Sequence, residues 1–126
     1  MSVKYVISEK GNPLNPAAPK KWYASAKSSG DISLKALGKD ITQRSTVNPA
    51  DTAAVLEALT QVLVERLADG KIVRFGDFGA FQVSLGSSGA DSAAQFNASL
   101  IKTKKVTFRP GIDLREMLNN LKFEKA

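Results

Sequence analysis

The sequence predicts an α+β fold: two helices, a three-stranded antiparallel sheet with a projecting β-arm, and a short closing helix, preceded by extra N-terminal strands. Three observations carry this reading. Residues 48–70 hold a wide apolar helical stripe with start and stop signals at its ends. Asp69–Leu85, DGKIVRFGDFGAFQVSL, has β-branched and aromatic runs bounded by glycines, the signature of a hairpin. Residues 101–108, IKTKKVTF, then return as a basic strand after a small, polar segment.

Taken in order, Val3, Tyr5 and Ile7 alternate with Lys4, Val6 and Ser8 as a short strand. Gly11-Asn12-Pro13 and Asn15-Pro16 through Pro19 make a turn-rich connector that cannot be helix. Lys20-Lys21-Trp22-Tyr23-Ala24 starts a second strand. Its cations and rings suit nucleic-acid contact, or its aromatics cover a core edge. Ser28-Ser29-Gly30 marks a break, after which Ile32, Leu34, Leu37 and Ile41 follow helical spacing with Asp31 or Ser33 as cap. Gly38 weakens that helix but permits a close crossing. Residues 1–30 therefore read as an N-terminal extension, and 31–126 as the main domain.

The second helix is announced by Asn48 as cap, Pro49 at the first turn and Asp51 beside the helix N-terminus, and Gly70 stops it. Val55, Leu56, Leu59, Val62, Leu63 and Leu67 form its stripe. A stripe so wide needs cover on more than one side. It is read as half of a dimer core, with Leu56, Leu59 and Leu63 at its centre; the alternative cover is the N-terminal extension. At the hairpin corner, Gly76 and Gly79 flank Asp77-Phe78. The arm occupies about residues 82–107, with Gly86–Ala94 as loop. Ile112, Leu114, Met117, Leu118 and Leu121 mark the final helix.

Composition narrows the function. The 126 residues contain 18 Lys+Arg and 12 Asp+Glu, net +6, which leans toward a polyanionic partner. There is no Cys and no His, which excludes disulfides, thiol or imidazole metal sites and the chemistry of Cys and His catalysts. No pair of acids sits in a catalytic setting, so no enzyme is expected. Residues 1–10 lack a signal-peptide core, and Glu57, Gln61, Glu65 and Arg66 interrupt the longest apolar region; a soluble cytoplasmic protein is expected. Residues 31–70 are net −2, whereas the segments on either side are each net +4.

On the returning strand, strict alternation places Lys102 and Lys104 on one face and Lys105 on the other. Lysines along a ribbon suit sequence-indifferent phosphate contacts, or protect an edge from aggregation. Arg109 at the arm's root and Arg74 in the hairpin can reach phosphate, or pair with a helix acid. No recognition helix or zinc module is present to read bases, so any DNA is recognised through its backbone and deformability.

The order helix, capped helix, Gly70–Phe81 (GKIVRFGDFGAF), arm, Thr107-Phe108-Arg109-Pro110-Gly111 and short helix resembles the bacterial histone-like HU/IHF family over about residues 31–121. It looks most like the HU-related branch of Bacteroidetes type, which carries an N-terminal extension. The resemblance implies an intertwined homodimer whose arms embrace double-stranded DNA through the minor groove in the nucleoid, with no cofactor, small-molecule substrate or membrane. It implies that Phe78 and Phe81 are dimer-core residues and that Lys102, Lys104, Lys105 and Arg109 meet phosphates. The usual arm ends in a basic Arg-Asn-Pro tip. Here Gly86–Asn97 contains no Pro, Lys or Arg, the proline position falls near Ala94, and Asp91 is present. Phe96 is then the candidate apolar wedge, or a residue that packs the arm against the extension. The competing expectation is an HU-fold structural or protein-interaction module with weak or no DNA binding.

Overall fold

The computed structural model describes residues 1–126. Its chain divides into two compact units, residues 34–116 and residues 1–33 with 117–126.

The larger unit begins with α1 (Leu34–Arg44) and α2 (Pro49–Ala68). α1 starts after Ser33, so Ile32 precedes the helix although its spacing fits the stripe. The α2 start is the one the residues announce. The Asn48 side chain accepts a hydrogen bond from the Asp51 N–H at 2.8 Å, and its Nδ2 donates to the Asp51 carboxylate at 2.9 Å. At the other end the Gly70 N–H donates to the Leu67 carbonyl and the Lys71 N–H to Arg66, with Gly70 at φ +78°. Those paired bonds make a Schellman stop, which needs the left-handed conformation that glycine adopts freely. Asn48→Ala is expected to cost about 1 kcal/mol, read as a lower urea midpoint with an unchanged slope.

The helices cross at Gly38. It is buried, and a Cβ there would lie 3.3 Å from Leu56 and 3.8 Å from Thr52, itself buried. α2 also packs on the sheet formed by β3 (Val73–Arg74), β4 (Gly79–Ser87) and β5 (Ile101–Pro110), all antiparallel in that order. The turn from β3 to β4 closes with the Phe78 N–H on the Phe75 carbonyl, and Gly76 takes φ +52°. Four rings gather around it: Phe81 lies 4.8 Å from Phe108 and 6.0 Å from Phe75, and Phe78 lies 5.7 Å from Phe108.

After β5 comes α3 (Ile112–Asn119), within which the division between units falls. The smaller unit is a three-stranded sheet. β1 (Val3–Lys10) is central, antiparallel to β2 (Lys21–Lys27) and parallel to β6 (Phe123–Lys125). The connector turns at Asn12, whose side chain accepts from the Leu14 N–H. β6 has no signal in the sequence: three residues with one apolar side chain carry no periodicity.

No apolar side chain is buried in the single chain, although 43% of its residues are hydrophobic. Val62 is 47% exposed, Phe78 45% and Leu59 37%, and Leu56, Leu63 and Phe81 are only half-buried.

Candidate nucleic-acid interface

In a sheet, directly paired residues share a face, so register decides which cations stand together. Arg74 pairs with Ala80, and Ala80 with Arg109. The two guanidinium-bearing residues thus lie on one face, separated by one strand, about 10 Å at ordinary strand spacing. Toward the tip the same face carries Gln82 opposite Thr107 and Ser84 opposite Lys105. The Thr107 hydroxyl donates to the Gln82 carbonyl at 3.2 Å. Arg74, Lys105 and Arg109 are exposed and have no ion-pair partner; the ion pair in the molecule is Arg66 with Asp69.

The opposite face is apolar: Val73, Phe81 and Phe108 share a rung, followed by Val83 with Val106 and Leu85 with Lys104. Lys104 therefore extends the apolar face, not the one that holds Arg74, Lys105 and Arg109.

Strict alternation does not carry from Lys104 to Lys102. Gly86 pairs with Thr103 but Ser87 pairs with Ile101, so Lys102 is the extra residue of a β-bulge. Its ammonium donates to the Ser99 carbonyl at 3.1 Å. Beside the bulge, a Cβ on Gly86 would meet only the Thr103 side chain, whose hydroxyl can rotate away. The expectation that Lys102 and Lys104 share one face thus fails at one inserted residue, which no local composition reveals.

Beyond the bulge the arm closes through two 3-10 turns, Ala93–Gln95 and Ala98–Leu100. The Ser88 N–H donates to the Leu100 carbonyl, and the Asn97 side chain caps the second turn by accepting from the Ser99 N–H at 2.9 Å. Phe96, between the turns, is 44% exposed.

The arm's root is fixed by a backbone contact. Gly111 donates its N–H to the Phe78 carbonyl at 2.8 Å, and Asp113 donates to the Asp77 carbonyl at 3.0 Å. The end of β5 is thereby tied to the β3–β4 turn, which sets Arg109 across from Ala80.

Known proteins bear on this geometry in two ways. A family model described as HU-HIG, an HU domain fused to a wHTH, Ig or glycine-rich motif, matches residues 1–125. A solved chain from Bacteroides vulgatus ATCC 8482, provisionally named a bacterial DNA-binding protein, superposes with TM-score 0.67 at 14% identity over 98% of this chain. At that identity the likeness is one of fold. This chain spans 47% of that protein's length. No curated protein matches the sequence.

Proposed function

We propose, from the premise that the chain belongs to the HU-HIG family of HU domains fused to a wHTH, Ig or glycine-rich motif, that it is a sequence-independent architectural DNA-binding protein. It acts as a homodimer in the bacterial cytoplasm, on the nucleoid, and clamps duplex DNA with its basic β-arms. The observation that carries this reading is the shared sheet face on which Arg74, Lys105 and Arg109 stand unpaired among Gln82, Ser84 and Thr107. Guanidinium, ammonium and neutral polar groups together are the donors that grip phosphate and sugar without reading sequence. Lys102 and Lys104 add charge nearer the tip. Phe96 is the one large apolar side chain of Gly86–Asn97 and is the candidate wedge, an insertion device known for HU and IHF themselves. Leu56, Leu59, Leu63, Phe78 and Phe81 are assigned to the dimer core.

The test is duplex binding across a salt series on straight and nicked DNA. Arg74→Ala, Lys105→Ala and Arg109→Ala combined are expected to lower the slope of log affinity against log salt by about 3 for each protomer engaged, near 0.9 per phosphate contact. Binding indifferent to both salt and these substitutions would remove the proposal.

A second reading, an HU-fold protein-interaction module, is favoured by the tip: Gly86–Asn97 carries no positive charge, while Leu85 and Val106 below it are 60% and 59% exposed. Stable retention of a protein partner, without duplex binding at moderate salt, distinguishes it.

A further inference from the structure

The small unit concentrates charge. Its 43 residues hold seven lysines against Glu9, Asp31 and Glu124, so they supply +4 of the chain's +6. Register sorts these charges by face. Tyr5 pairs with Ala26, Ile7 with Ala24 and Glu9 with Trp22, while Val3 pairs with Phe123. That face is apolar apart from Glu9 at one end and Lys125 at the other. On the opposite face Lys4 pairs with Lys27, Val6 with Ser25, Ser8 with Tyr23 and Lys10 with Lys21. Four lysines thus stand on one side of a two-strand ribbon, in two directly opposed pairs. The acid that joins them, Glu124 beside Lys4 on β6, accepts a hydrogen bond from the Ser2 hydroxyl and lies within ion-pair distance of no lysine.

Like charges directly opposite one another destabilise an antiparallel pair. This ribbon does so twice. Protection against edge-to-edge aggregation accounts for lysines on β2, an edge strand, and for Lys10, where β1 runs beyond the three-residue β6, but not for Lys4, which lies between both neighbours. A solvated face ordinarily mixes both signs. An arrangement that repels itself when free is relieved when an anion spans it.

We infer that the Lys4, Lys10, Lys21 and Lys27 face of the N-terminal sheet is a second DNA-backbone contact surface, separate from the arm. The lysine pairs are six residues apart along the strands, about 20 Å. A stretch of duplex that long carries on the order of 12 phosphate charges, ample for four ammonium groups. Tyr23 lies between the pairs on the same face, 49% exposed, with a hydroxyl able to donate to a phosphate oxygen. Trp22, next to it in sequence, belongs to the apolar face. Only one of the two rings suited to nucleic-acid contact therefore joins the lysines. The choice of DNA as ligand rests on the function proposed above.

The experiment compares three full-length proteins on one duplex: wild type, the arm-root variant Arg74→Ala/Lys105→Ala/Arg109→Ala, and Lys4→Gln/Lys10→Gln/Lys21→Gln/Lys27→Gln. The quadruple variant is expected to lower the salt slope by about 2–4 and to weaken binding at least roughly tenfold near 0.1 M salt. Its thermal midpoint without DNA should equal or exceed that of wild type, because repulsion has been removed. A lower midpoint would mean that the lysines are structural, and would overturn the inference. So would wild-type affinity and slope in the quadruple variant; loss of binding by the arm-root variant in the same assay would then leave the arm proposal standing. Loss of RNA binding with duplex binding intact would also overturn it, by assigning the face to a different polymer.

Discussion

The thermal midpoint of this protein is expected to rise with its own concentration, by about 3 °C per tenfold, because the proposed homodimer makes folding and pairing one event. The single chain buries no apolar side chain, and large apolar residues of α2 and of the ring cluster stay exposed. Obligate interfaces take about 1,000–2,500 Å² or more from each partner, much of it apolar. The exposed apolar positions include Val55, Leu59 and Val62 along α2, and Phe78 and Phe108 in the ring cluster. A second copy of the same chain supplies a matching surface by symmetry. Light scattering should therefore give twice the chain mass. Leu59→Asp, which places a carboxylate in the proposed dimer seam, should cost several kcal/mol and abolish helical circular dichroism at micromolar concentration. A Leu59→Asp protein that stays helical at the mass of one chain would refute the dimer core.

Much of the larger unit is legible in the residues because its signals are local. Asn48-Pro49 and Asp51 specify one helix start, Gly70 one stop, and Gly76 through Gly79 one hairpin corner, each through chemistry confined to a few neighbouring positions. The candidate site is less legible, since a sheet face is defined by register. That Arg74 and Arg109 share a rung depends on both pairing through Ala80, across 35 residues of chain. Lys102 left the ladder through one inserted residue. The four-lysine face depends on Lys10 meeting Lys21, which the ten-residue connector decides. Composition had marked the N-terminal segment as basic without placing its charges.

Register at the arm's root is where a single methyl group is expected to do the most damage. A Cβ on Gly111 would lie 2.7 Å from the Asp77 carbonyl carbon and 2.9 Å from that of Phe78. Both are backbone atoms in a closed turn, so no rotamer relieves the clash. Gly111→Ala must then separate β5 from the turn, which breaks the Gly111 and Asp113 hydrogen bonds and loosens Phe108 from the rings of Phe78 and Phe81. The combined loss should be on the order of 3 kcal/mol or more, large against the stability of a small domain. Gly79→Ala should behave alike, since its Cβ would sit 2.6 Å from the Arg109 carbonyl oxygen. Gly89, in the arm tip, is the internal control: a Cβ there meets nothing within 4 Å, so Gly89→Ala should shift stability by no more than about 0.5 kcal/mol. Urea unfolding of the three variants at matched concentration separates the cases. Equal midpoints for Gly111→Ala and Gly89→Ala would show that the turn and the end of β5 are not docked. The placement of Arg109 beside Ala80, and with it the shared basic face, would then lose its structural support.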